Sequence, residues 1–240
     1  MITSKDNERI KRTAKLFKSA SFRKETGLIV LEGLRLCKEA EIIEELYFSK
    51  DFNESELLNK SKESFLVSNE ILKKITDTVN PQGVVAVVKR PKLSLNLKPY
   101  GRYLAFENIS DPSNLGAAVR TAEALNMDGI ITSGTDPFSP KAIRASMGGI
   151  LRLNVFEPEN ILEFLTMQKQ RKIGAVVKGG IDIRDFSFKN DILLIGNEAS
   201  GLTEKAKSIC DELISIKMPG KAESLNAATA AAIFMWEMSK

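Results

Sequence analysis

The sequence contains no histidine and only two cysteines, Cys37 and Cys210. Without imidazole there can be no Ser-His-Asp or Cys-His relay, no histidine acid-base chemistry and no histidine metal site. The two cysteines are far apart and form no paired-ligand motif, so neither a disulfide framework nor a zinc site is indicated, and no metal is expected. No uninterrupted apolar run approaches the roughly 20 residues of a membrane-spanning helix. The basic N-terminus lacks the apolar stretch of a secretory signal, so a cytoplasmic address without a membrane partner is expected. Neither the GxGxxG dinucleotide fingerprint nor a Walker loop is present, which argues against a nucleotide-binding oxidoreductase.

What remains is a chain of 240 residues, 43% hydrophobic and 28% charged, with a formal net charge of +4. That is the composition of a globular protein with room for two domains. The positive charge is uneven. The first 24 positions carry Lys5, Arg9, Lys11, Arg12, Lys15, Lys18, Arg23 and Lys24 against Asp6 and Glu8. A polyanion would be a natural partner for this segment, and a solvated helix face is the plainer alternative.

From Gly27 to Arg90, apolar runs such as "LIVLE", "ELYFS", "SFLVS" and "VVAVVK" alternate with helical patterns, which predicts a small α/β domain. The stretch "RPKLSLNLKPYGR" has two prolines and little periodicity, so it is taken as a connector between domains at 1–92 and 93–240. Beyond it, "YLAFEN", "GIITSG", "LRLNVF", "KIGAVVK", "DILLIGNE" and "LISIKMP" are separated by helix-like segments. This is the pattern of a mostly parallel sheet covered on both faces, whose ligands bind beyond the carboxyl ends of the strands.

Three polar clusters fall at such ends. In "SDPSNLGAAVRTAEAL", Asn114 is a candidate cap for the following helix, Gly116 permits close approach, and Arg120 follows six residues on. A capping asparagine and a surface arginine would also account for both residues. In "LLIGNEASGL", an apolar strand ends in Gly196, Asn197, Glu198 and Gly201 before a helix capped by Thr203, and a tight polar turn would use the same glycines. In "IKMPGKAESLNAATAAAIFMWEM", Ser224 and Asn226 precede an alanine-rich helix for which Glu223 or Ser224 could serve as cap.

Taken together and in this order, the three clusters resemble the three signatures of the SpoU (TrmH-like) RNA ribose 2′-O-methyltransferases of the SPOUT superfamily. The first half, with "GLIVLEGLRLCKEA" and "VNPQGVVAVVKRP", resembles the RNA-binding substrate domain that many members carry in front. The resemblance implies an α/β fold with an N-terminal RNA-binding domain and a C-terminal parallel sheet threaded into a trefoil knot. It implies S-adenosylmethionine as cofactor, held largely by backbone groups around Gly196, Asn197, Gly201, Ile216, Met218, Ser224 and Leu225. The implied catalytic set is Asn114, Arg120, Glu198, Ser224 and Asn226, with Asn114 hydrogen-bonding Arg120 and Arg120 contacting the target phosphate or ribose hydroxyl. A homodimer through the C-terminal domain and a structured RNA substrate, ribosomal RNA ahead of transfer RNA, are implied as well. A non-catalytic RNA-binding or ribosome-assembly protein of the same fold is the alternative. Asn126 and Ala199 stand where the family often has glycine.

Overall fold

In a computed structural model that describes residues 1–78, 81–94 and 96–240, the basic N-terminal segment is helical. Asn7 accepts a hydrogen bond from the Arg9 amide and caps α1 (Glu8–Lys18); Ser19 caps α2 (Ala20–Thr26) in the same way through the Phe22 amide. Ile10, Thr13 and Leu16 recur every third residue on one face of α1 and are buried. The chain continues through β1 (Leu28–Glu32), α3 (Leu34–Lys38), β2 (Ile43–Phe48), α4 (Ser55–Lys60), β3 (Ser61–Leu66), α5 (Asn69–Lys74) and β4 (Val84–Lys89). These strands form a four-stranded sheet in the order β1-β4-β2-β3, in which β2 pairs with β3 in parallel and β4 pairs antiparallel with both β1 and β2. Ile10 and Leu16 share a core with Val30, Tyr47, Val85 and Val87.

The arginines of α1 are therefore structural. Glu45 is 4% exposed, and its carboxylate is held by Arg9, Arg12 and the Tyr47 hydroxyl. Burial alone would raise its pKa, but the hydrogen bonds from Arg12, Tyr47 and Arg9 outweigh burial and hold it below the ordinary carboxylate value.

The second half runs through β5 (Tyr103–Ile109), α6 (Pro112–Ala124), β6 (Gly129–Gly134), α7 (Pro140–Ala145), β7 (Val155–Phe156), α8 (Ile161–Thr166) and β8 (Lys172–Ala175). It ends with β9 (Ile181–Asp182), β10 (Ile192–Ile195), α9 (Glu204–Ser208), β11 (Glu212–Ser215) and α10 (Ala227–Met238). Seven strands form one sheet in the order β7-β6-β5-β10-β8-β11-β9, and every pairing is parallel. All four residues of β10 are buried, as expected of a central strand covered on both faces.

Two compact units result, one of Met1–Lys92 with Phe138–Leu151, the other of Leu93–Pro137 with Arg152–Lys240. The sequence reading placed Phe138–Leu151 wholly in the second half. Its residues instead complete the first unit: Arg90 lies over the buried Phe138 ring at 4.8 Å, and Arg144 reaches Asp77 at 2.7 Å and Glu32 at 3.5 Å. For the same reason "LRLNVF" is a strand only at Val155–Phe156, because Gly149–Leu151 close a 3₁₀ turn in the first unit. The two-residue strand β9 has no counterpart in the sequence reading.

Candidate functional site

The carboxyl ends of β5, β10 and β11 carry the three polar clusters. At the first, the Asp111 carboxylate accepts from the Ser113 amide, and Pro112 opens α6, where a missing N–H costs nothing. Asp111, not Asn114, is thus the cap, and Asn114 sits in the first turn of the helix.

Asn114 does not reach Arg120. Six residues of α-helix carry the chain about 9 Å along the axis and leave the two side chains roughly 120° apart around it. The Asn114 amide is used elsewhere. Its Nδ2 donates to Glu198 Oε1 at 3.0 Å, and its Oδ1 accepts from Asn226 Nδ2 at 2.9 Å. One side chain therefore links the loops after β5, β10 and β11.

Glu198 is bound to the start of α6 by more than Asn114. It also accepts from the backbone amides of Ser110 at 3.0 Å and Asp111 at 3.1 Å. Partial burial would raise its pKa, but these donated hydrogen bonds prevail and hold the carboxyl below its ordinary value. The positive end of the α6 dipole favours the same charged form. A carboxylate so fully engaged is suited to fixing a loop rather than removing a proton.

The turn after β10 is closed by two backbone hydrogen bonds between Asn197 and Gly201, at 3.1 and 2.8 Å. Gly201 has φ +68°, and a Cβ on Gly196 would lie 2.0 Å from the Gly201 carbonyl carbon, so each glycine has its own reason. The Asn197 amide crosses to the Asn108 carbonyl at 2.9 Å and the Ser110 hydroxyl at 2.7 Å. Ala199 is not among the residues with positive φ, so its side chain is accommodated, whereas Asn126 takes φ +53°, a conformation asparagine tolerates. Behind the turn, the buried Glu107 accepts from the amide and hydroxyl of Thr203, the cap of α9. Glu107 and Asp111 were missed as site residues; an acid closing an apolar strand and an Asp-Pro helix start were the signals available.

At the third cluster Asn226, rather than Glu223 or Ser224, caps α10, accepting from the amides of Ala228 and Thr229. From Ile216 to Leu225 no backbone amide or carbonyl takes part in a hydrogen bond among the described residues. Ser224 is exposed, and Ile216, Met218 and Leu225 are half-buried. A chain of unengaged donors and acceptors beside apolar side chains fits a ligand with both a heteroaromatic ring and charged ends, as S-adenosylmethionine has. Arg120 is exposed on α6 and forms no hydrogen bond or ion pair among the described residues. The structure thus joins Asn114, Glu198 and Asn226 directly, and leaves Arg120 and Ser224 outside that network.

Comparison with known proteins places these features in a family. Residues 7–86 match the MRM3-like substrate binding domain, and residues 101–236 match the SpoU rRNA Methylase family. The chain is 31% identical to an uncharacterized tRNA/rRNA methyltransferase of Synechocystis sp. over 98% of its own length and 92% of that protein's. It is 26% identical to the 23S rRNA (guanosine(2553)-2'-O)-methyltransferase RlmP of Bacillus subtilis, over 99% of this chain and 98% of that one. Its fold superposes with a TM-score of 0.88 on the SpoU methyltransferase AviRb of Streptomyces viridochromogenes in complex with AdoMet, at 26% identity and covering 97% of each chain. Half of the chain and more lies within one of these matches, and we conclude that it belongs to the SpoU rRNA methylase family.

Proposed function

We propose that this protein transfers a methyl group from S-adenosylmethionine to a ribose 2′-hydroxyl of a structured RNA, ribosomal RNA ahead of transfer RNA. The observation that carries the reading is the Asn114 link, which holds the loops of all three signatures together at the carboxyl ends of parallel strands. When bound, S-adenosylmethionine supplies an electrophilic methyl whose transfer leaves a neutral thioether, so no acid is needed for the leaving group.

The chain supplies positioning. Backbone groups of Ile216, Met218 and Leu225, the Ser224 hydroxyl and the turn of Gly196, Asn197 and Gly201 hold the cofactor. Arg120, whose guanidinium is uncommitted, takes the phosphate beside the target ribose and orients the 2′-hydroxyl, whose proton leaves by way of that phosphate to solvent as the new C–O bond forms; its planar fork can bridge two acceptors. Holding the reacting atoms in near-attack geometry can supply about 7–11 kcal/mol in favourable cases. Asn114, Glu198 and Asn226 act through the loops they fix. Threading of the third-signature segment into a knot belongs to the same proposal.

The active form is a cytoplasmic homodimer through the second unit, a reading supported by Trp236, which is 58% exposed on α10. Transfer of labelled methyl groups from S-adenosylmethionine to total RNA, followed by mapping of the modified ribose, tests the proposal. Binding of RNA without any transfer would favour the ribosome-assembly alternative.

A further inference from the structure

The basic N-terminal segment raises a question that its fold narrows: which of its charges remain available to a polyanion? Arg9 and Arg12 are spent on Glu45, and Arg9 also on Glu63. Lys5 pairs with Glu70, and Lys11 with Glu8. Lys15 lies over the Phe22 ring at 4.2 Å. Lys18, at the end of α1, is exposed and has no hydrogen bond or ion pair among the described residues.

Lys18 lines a recess of about 240 Å³ within the first unit, together with Lys74 of the α5 end and Ser139 and Lys141 of the inserted segment. In the same lining, the buried Arg23 donates to the carbonyls of Leu16 at 2.5 Å and Phe17 at 3.2 Å. Arg23 thereby masks the negative end of the α1 dipole, which would otherwise weaken anion binding at this place. Asp77 is the carboxylate in the lining, and Arg144 already holds it at 2.7 Å. The lining thus holds four basic side chains and one acid, and Lys74 among them donates to the Lys5 carbonyl at 2.6 Å. Like charges gathered around a concave surface repel one another and focus a positive field outward.

We propose that this recess, built by Lys18, Lys74 and Lys141, receives phosphodiester groups of the substrate RNA. The inference rests on the RNA reading above and refines it in two ways. Contact is concentrated at the C-terminal end of α1 rather than spread along the basic segment. Part of the RNA site comes from Phe138–Leu151, outside the residues that match the substrate-binding domain.

The test uses the full-length protein. In the double variant Lys18→Ala/Lys141→Ala, the slope of log affinity for RNA against log salt should fall by about 1.5, and KM for RNA should rise roughly tenfold. Affinity for S-adenosylmethionine and kcat should stay within twofold. A control, Lys5→Ala/Lys11→Ala, removes equal charge from the same segment and should leave the slope unchanged. Lys18→Glu alone checks that any loss is electrostatic, since it should exceed the loss from Lys18→Ala. Equal slopes for the wild-type protein and the double variant, or equal losses in the control, would overturn the proposal. RNA binding is measured apart from methylation, so a protein that binds through the recess yet transfers no methyl defeats only the catalytic reading.

Discussion

Asn226 donates its side-chain amide to Asn114 Oδ1 at 2.9 Å across 112 positions of sequence, while its own oxygen caps α10. One side chain therefore carries two separable duties. Asn226→Asp keeps the capping acceptor, since aspartate and asparagine cap about equally well, but removes the donor to Asn114. Should Asn114 turn over to donate to the new carboxylate, it forfeits Glu198 instead. We expect Asn226→Asp to keep thermal stability near wild type while methyl transfer falls steeply. Asn226→Ala, which loses both duties, should also lose about 1 kcal/mol of stability in urea denaturation.

Arg120 presents the opposite case, because nothing in the described structure depends on it. Arg120→Ala should change stability by no more than about 0.5 kcal/mol, as is usual for an exposed side chain without partners. It should abolish methyl transfer while S-adenosylmethionine still binds, as calorimetry would show. Arg120→Lys should fail almost as badly, because an ammonium lacks the planar fork. Near-normal single-turnover rates in either variant would remove Arg120 from the site.

The two glycines of the Asn197–Gly201 turn should separate in size of effect. At Gly201 an added Cβ meets nothing within 4 Å, so Gly201→Ala costs only the left-handed backbone, about 1–2 kcal/mol. At Gly196 the same atom would overlap the Gly201 backbone, so the turn cannot close. Gly196→Ala should therefore lose methyl transfer and a larger share of its stability; a denaturation series of both variants compares them directly.

Glu198 yields a pH dependence of definite sign. Its folded-state pKa lies below the unfolded value, so its stabilising contribution is fully present above the unfolded pKa, near 4.3, and disappears as pH falls through the folded pKa. Glu198→Gln removes this titration. The stability gap between wild type and variant should be constant from pH 6 to 8 and should narrow below about pH 4, measured by thermal denaturation across that range.

The order of helices and strands was largely legible because buried parallel strands such as β5, β6 and β10 are short apolar runs bounded by polar turns. β9 was not, since two residues carry no periodicity; it pairs with β11 next to Gly180, which lies against the Ile214 backbone where a side chain would clash. The three site segments could be found from their residues and their resemblance, but the partners of Asn114 could not. Those partners lie 84 and 112 positions away, whereas the resemblance implies Arg120 as the partner. The helical repeat argues against that pairing, and the Asp-Pro start of α6 shows where the cap lies.

The N-terminal basic segment is likewise misjudged by charge alone. Deleting residues 1–24 would remove the fully buried Ile10 and Leu16 and leave Glu45 buried without Arg9 or Arg12. Such a truncation should unfold the first unit rather than reduce its salt sensitivity, which circular dichroism of the shortened protein would reveal.

The placement of Phe138–Leu151 limits how this protein can be taken apart or recombined. The backbone passes from one unit to the other after residues 92, 137 and 151. A single cut in the connector therefore does not yield two independent modules: the front piece lacks Phe138 and Arg144, and the rear piece carries their apolar and charged surfaces uncovered. A chimaera that borrows the substrate-binding front of a relative must exchange two stretches of gene, and an exchange of the first alone would pair Glu32 and Asp77 of one lineage with the arginine of another.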